Sequence, residues 1–180
     1  RYAGVLSDVL RLAIPPRHAR VEKEVVARAG PVGPADAQPV DLQSPDPAPG
    51  AWSGYRGGSE FLQALADGRS PRAVWAALPG TSWTDPVAAA CAATLASGRG
   101  ALVVVPDGKE AARLDQTLRA ELGGPGSHVV LTAELGPAER YRRWLAVLRG
   151  HVRVVVGTRA AAFAPVRDLG LVVCWDDGDD

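Results

Sequence analysis

The chain has 180 residues, 47% hydrophobic and 22% charged, which is enough for one well-buried domain plus an appendage. Twenty basic residues balance twenty acidic ones, so net charge singles out no polyanionic partner. Two cysteines without C-x-x-C spacing exclude a disulfide scaffold, and no apolar stretch approaches the length needed to span a bilayer.

Residues 1–24, "RYAGVLSDVLRLAIPPRHARVEKE", hold one amphipathic turn set, Val5, Val9, Leu10 and Leu12, which the Pro15-Pro16 pair stops. The piece is too short to bury a core and reads as the end of a preceding domain, with Tyr2, His18 and Arg20 structural. Residues 25–51 are dense in proline and poor in large apolar side chains. Such a stretch buries too little surface to offset its ordering entropy, so it reads as a linker.

From Trp52 onward strand-like and helix-like stretches alternate. "SEFLQALADG" is expected as a short helix capped by Ser59 and stopped by Gly68. "RAVWAAL" (72–78) is expected as a strand, and Asp85-Pro86 opens a helix reaching Ser97. "ALVVVP" (101–106) is a continuous apolar run, as in a strand covered on both faces. The next helix places Ala112, Leu114, Leu118 and Leu122 at helical spacing and ends in glycines. "HVVLTA" is a strand. "GPAERYRRWLAVLRG" is a helix with Tyr141, Trp144, Leu145 and Leu148 inward, and "VRVVVGTR" and "LGLVVCW" are the last two strands. This alternation predicts an α/β fold with a parallel, doubly wound sheet. Ligands in that class sit at the carboxyl ends of the strands, here residues 78–84, 106–107, 157–159 and 175–177. Cys91 and Cys174 lie in apolar runs and read as small buried hydrophobes of a reduced cytoplasm. The run stops at "CWDDGDD" straight after a strand, so the chain reads as a segment of something longer.

"AALPGTSWTDPVAAACAATLA" has the shape of a phosphate-binding loop: an apolar run, a turn of small residues, then a helix. A working loop reads GxxxxGK[ST]: backbone N–H groups wrap the phosphates, lysine contacts the terminal ones, and the hydroxyl holds Mg²⁺. On that frame Ala77 and Ser82 fall on the glycines, Trp83 on the lysine and Thr84 on the hydroxyl, with Gly80 and Thr81 in the turn. The metal-holding acid belongs at the end of a later strand, where Trp175 stands, followed by Asp176 and Asp177. Two tryptophans thus occupy the lysine and acid positions. The bland readings are an ordinary βα turn and a solvated acidic run, in which Asp176 and Asp177 bind a cation weakly at most.

"VVVGTRAAAFAPVRDLGLVV" resembles the stretch linking the GTR and DEAH-type motifs of the replication-restart helicase family PriA (primosomal protein N′). "LGPAERYRRWLAVLRG" looks like that family's L-x-x-x-E-R-x-x-x-W helix, "ALVVVPD" its LVLVPE strand end, and "YAGVLSDVLRLAIPP" the end of its 3′-DNA-binding domain. The blocks fall in order over most of the chain, residues 25–51 excepted. The resemblance implies that 1–24 ends a 3′-DNA-binding domain, 25–51 is a linker, and 52–180 is a three-layer RecA-like lobe. That lobe is the first of a superfamily 2 helicase, cut at its DEAH-type motif. Where active members have GVTGSGKT this chain has "ALPGTSWT", and where they have DEEHD it has "WDDGDD", with Gly178 in place of the coupling histidine. Some actinobacterial members look degenerate in this way. The resemblance therefore implies a cytoplasmic, nucleoid-associated primosome protein that binds forked DNA and other replication proteins without hydrolysing ATP. The alternative is a 3′→5′ helicase with a divergent ATP and Mg²⁺ site. The family's zinc-binding cysteines would fall beyond residue 180, so no zinc site is expected here.

Residues 136–159 carry Arg140, Arg142, Arg143, Arg149, Arg153 and Arg159 against the single acid Glu139. Arginine pairs bidentately with phosphate, giving salt-dependent, sequence-blind contacts. Thr158 and Arg159 at a strand end are the leading DNA-contact candidates, followed by Arg140 and Arg143; the bland reading of these last is a solvated helix face. His128 and His151 have no partner at ligand spacing. A dinucleotide-binding enzyme is disfavoured, because no G-x-G-x-x-G follows the first strand and Asp107 is the only acid near the required place.

Overall fold

The computed structural model describes residues 14–28, 50–124 and 126–175. Tyr2, the turn set at residues 5–12, most of the Pro-rich stretch, and Asp176, Asp177 and Gly178 lie outside the described residues. In chain order the elements are α1 (Ala19–Arg28), α2 (Gly58–Ala66), α3 (Thr84–Ala96), β1 (Gly100–Val104), α4 (Gly108–Glu121), β2 (Val129–Leu131), α5 (Pro137–Leu148), β3 (Val154–Gly157), a 3-10 turn (Arg159–Ala161) and β4 (Leu169–Cys174).

The four strands form one parallel sheet in the order β2-β3-β1-β4, as the strand–helix alternation predicts. β1 and β3 are central, and their unbroken valine-rich runs are buried on both faces. On one face Ala101, Val103, Val154 and Val156 pack against Val87 and Cys91 of α3 and Leu114 and Leu118 of α4. On the other, Leu102 and Val155 meet Val147 of α5. Gly157 ends β3 where no side chain fits: a Cβ there would overlap the Leu131 carbonyl oxygen and come within 2.7 Å of the Ala161 Cβ. That close approach brings the β2 and β3 ends together at the carboxyl edge of the sheet. No described helix is long and apolar enough to cross a membrane.

Several local expectations are corrected. Residues 72–78 join no sheet, which leaves β4 as an edge strand. Their apolar content is mostly small, Val74 is fully exposed, and the one large ring, Trp75, is drawn into tryptophan packing instead of a backbone ladder. Arg99 anchors the start of the segment by donating to Gly68 O, Ser70 Oγ and Leu169 O. Ser59 does not cap α2. Gly57 holds that place in the left-handed region, and Gly58 lies too close to Trp52 for a side chain. Gly68 does end the helix region, at φ 71°.

On α4 the buried stripe takes Ala111 rather than Ala112, because 111, 114 and 118 keep the 3.6-residue period. On α5, Val147 faces the sheet, whereas Leu148 is exposed. Tyr141 and Leu145 are buried on a different face, against Val21 of α1. α1 runs to Arg28, through the expected boundary after residue 24. Cys91 is fully buried, which pushes its thiol up to about 12, but Cys174 is exposed because β4 has no neighbour on its outer edge.

Candidate functional site

The loop between Leu78 and Thr84 turns at Gly80, whose φ of 76° suits glycine. Thr81 closes the turn by donating to Leu78 O from its amide (3.2 Å) and its hydroxyl (2.7 Å), while the Leu78 amide donates to the Tyr55 hydroxyl. The chain then enters α3 through Trp83, with no side-chain cap. The turn thus leads from residues 72–78, which join no sheet, straight into a helix.

Trp83 and Trp175 meet. Their rings stack with centroids 4.5 Å apart and planes 7° from parallel. Trp175 also packs on Trp75 at 5.3 Å, and Trp75 on Trp52 at 5.4 Å. Four of the five tryptophans therefore form one aromatic ladder, running from the loop past the end of β4 to the turn before α2. Trp52 pins its far end by donating from Nε1 to Pro86 O, 2.8 Å. The Trp83 indole N–H donates to Glu110 Oε2 at 2.9 Å, which fixes the ring, while Arg113 donates to the other oxygen of that carboxylate at 2.8 Å. The two positions that sequence comparison marks as altered are thus one packed unit.

The hydroxyl position is also committed. Thr84 is buried, receives a hydrogen bond from Thr117 Oγ1 (2.8 Å) and shares one with Ser82 Oγ (2.9 Å). A cavity of about 550 Å³ beside the loop is lined by Tyr55, Thr81, Ser82, Asp85, Thr117 and Glu121 among others, and none of its lining residues is basic. Asp85 and Glu121 give it acidic character, opposite to what a polyphosphate requires. Sequence reasoning missed Glu110 and Thr117. Their spacing of seven, two turns on one face of α4, was the available signal. Among the described residues no group of three metal-ligating side chains occurs. Asp107, the one candidate acid for a dinucleotide ribose, is the N-cap of α4. The Glu110 and Lys109 amides hold its carboxyl below the ordinary range.

The arginine candidates separate by what holds them. Arg143 donates to Glu139 Oε1 (2.9 Å) and Val130 O (2.7 Å), tying α5 to β2. Arg142 bridges Glu139 and Glu24 of α1, and the Glu139 carboxyl is lowered by Arg143 and then Arg142. Arg153 donates to Gly98 O, away from the carboxyl edge. Arg140 is half-buried on α5. Thr158 is extended and its side chain caps nothing, and the exposed Arg159 follows it directly. Thr158 and Arg159 sit at the carboxyl end of central β3, the place where ligands gather in this architecture.

His128 has a partner that spacing did not reveal: its Nε2 lies 2.8 Å from Asp115 Oδ1 and its Nδ1 lies 3.1 Å from Ser127 Oγ. Burial, opposed by Asp115, lowers its pKa below the ordinary 6.5. An unfolded chain takes up this proton as pH falls through 6.5 and the folded chain does not, so stability present above that pH is lost below it. The slope is bounded by about 1.4 kcal/mol per pH unit for one proton. Melting temperatures between about pH 7.5 and about pH 5 should fall for the wild type and flatten for His128→Asn.

No family model matches the chain. It is 51% identical over 181 residues to the probable replication restart protein PriA of Mycobacterium tuberculosis (strain CDC 1551 / Oshkosh), spanning 100% of this chain and 26% of that protein. The Mycobacterium leprae (strain TN) protein of the same name is 49% identical over 180 residues, with the same shares. Replication restart protein PriA of Bacillus subtilis (strain 168) is 39% identical over 80 residues, 44% of this chain and 10% of its own length. The chain spans about a quarter of the length of the mycobacterial relatives. With the Pro-rich stretch inside the match, the chain is about half identical, from end to end, to a segment of proteins named replication restart protein PriA.

Proposed function

We propose that this chain is a DNA-contacting lobe of a replication-restart protein, one that engages stalled or branched forks and helps assemble replication proteins without hydrolysing ATP. The stacked Trp83–Trp175 pair carries the reading. It fills the two places where a nucleotide motor needs an ammonium and a metal-holding carboxylate. The Thr84 hydroxyl is bound within the protein, and the adjoining cavity offers carboxylates instead of cations. The relatives' printed names supply the replication-restart context. A role on chromosomal DNA goes with a cytoplasmic location, as the relatives' names suggest.

DNA contact is assigned first to Thr158 and Arg159, and after them to Arg140 on α5. Arg143 contributes only after releasing Glu139 and Val130. In the full-length protein, Arg159→Ala should weaken forked-DNA binding by about 1 kcal/mol, roughly fivefold, and lower the salt slope by about one counterion. Arg143→Ala should instead lower thermal stability while changing affinity less. The experiment that tests the whole reading measures nucleotide turnover of the full-length protein with and without forked DNA. Binding without turnover is expected. DNA-stimulated ATP hydrolysis above that of a Thr84→Ala preparation would overturn it in favour of a helicase with a divergent nucleotide site.

A further inference from the structure

Residues 151–167 contain three arginines and no acid. Two of the three are used by the fold: Arg153 donates to Gly98 O and Arg167 to Leu148 O. Arg159 is exposed, and no hydrogen bond or ion pair joins its side chain to another described residue. Four residues later the chain places Phe163, one of only two phenylalanines, with half its surface (51%) in solvent. The neighbouring small side chains go the other way. Ala161 is fully buried in the cluster of Leu102, Leu131 and Val155, and Ala164 and Val166 pack against that cluster. The turn therefore buries Ala161 and exposes its one large ring, four residues after an uncommitted guanidinium, at the carboxyl edge of the sheet.

From this arrangement we infer that Phe163 is a base-stacking residue for single-stranded DNA, held next to the phosphate contact at Arg159. The inference rests on the DNA reading above and narrows it to unpaired strand. A guanidinium recognises phosphate in any strand, but an exposed ring gains from stacking only when a base presents its open face, which duplex pairing and stacking withhold. Arg159 opens the 3-10 turn Arg159–Ala161 and Phe163 follows two residues after its end. Four residues of chain span at most about 14 Å, so one short stretch of single strand reaches both. Ala160 and Ala162, flanking the ring's turn, present no bulk that would keep a base away.

The test uses the full-length protein and fluorescence anisotropy with a labelled oligothymidine single strand and a blunt duplex of equal length, each over a salt series. Phe163→Ala should weaken single-strand binding by about five- to a hundredfold, the range of a lost base stack, with the salt slope unchanged and duplex binding altered less than about twofold. Phe163→Leu, apolar but without a π-face, should lose as much as Phe163→Ala, and Phe163→Tyr should retain wild-type affinity. Arg159→Ala should lower the salt slope on both substrates. If Arg159→Ala lowers the slope while both Phe163→Ala and Phe163→Leu bind single strand like wild type, stacking is overturned and phosphate contact stands. If Phe163→Leu keeps full affinity while Phe163→Ala loses it, the ring is an apolar contact and stacking is again overturned. If neither Arg159 nor Phe163 variants change binding to either substrate, the DNA assignment of this edge fails with it.

Discussion

Trp175→Ala should destabilise the lobe by about 2–4 kcal/mol, measured as the shift in its thermal or urea transition in the full-length protein. The size follows from position. Truncating a core tryptophan costs about 3–5 kcal/mol, and because this ring is only half-buried the expected loss is shifted about 1 kcal/mol below that range. What raises it above an ordinary surface loss is contact on two sides, with Trp83 at 4.5 Å and Trp75 at 5.3 Å. Removing it breaks the ladder in the middle and takes a stacking partner from both Trp83 and Trp75, the latter in a segment that no backbone pairing holds to β4. A double-mutant cycle with Trp83→Ala should return a coupling of about 0.5–1.5 kcal/mol, the worth of an aromatic pair beyond its buried area. Additive losses would mean that the two rings are neighbours without mutual stabilisation. Trp144→Ala makes a suitable contrast, because that ring lies on α5 beside Tyr141, outside the ladder.

The same ladder explains what could and could not be read from the sequence. The sheet was legible because β1 and β3 are unbroken valine-rich runs, and a strand buried on both faces leaves that signature whatever surrounds it. The loop was legible because small residues ahead of Asp85-Pro86 announce a turn and a helix start. The identity of the helix faces was not, because α5 buries two of them. Its 141/145 pair has the right period but packs on α1, a partner that lies over a hundred residues earlier in the chain. Residues 72–78 failed for a related reason: a short apolar run around one tryptophan satisfies a strand pattern, yet one indole finding three aromatic neighbours outweighs a ladder of hydrogen bonds that water can also supply. At the site, the two tryptophans were found one at a time by comparison with a motif. That they touch, and that Glu110 and Thr117 lock them and Thr84, are facts of tertiary structure that no local pattern carries. His128 is the same case, since its Asp115 partner lies on the preceding helix across a glycine-containing turn.

Trp83→Lys alone should not create a nucleotide site: titration calorimetry of the full-length protein with ATP and Mg²⁺ should give an affinity no tighter than about millimolar, as for the wild type. The restored ammonium would arrive beside Glu110, whose carboxylate stands 2.9 Å from the indole nitrogen it replaces, and the two would pair with each other before either met a phosphate. Even at an effective dielectric near 20, opposite charges about 4 Å apart attract by about 4 kcal/mol, enough to hold the lysine off a ligand. Asp85 and Glu121 in the adjoining cavity would repel the triphosphate, and the hydroxyl that should meet Mg²⁺ is occupied by Thr117. Adding Glu110→Gln to Trp83→Lys removes the captor and should improve ATP affinity at least about tenfold over Trp83→Lys alone, equivalent to about 1.4 kcal/mol. Micromolar binding by the wild type or by Trp83→Lys alone would refute this account, because it would mean that phosphates draw a cation such as Arg113 away from Glu110. An unchanged affinity in the double variant would shift the block from Glu110 to the Trp175 ring, the stacking partner of residue 83.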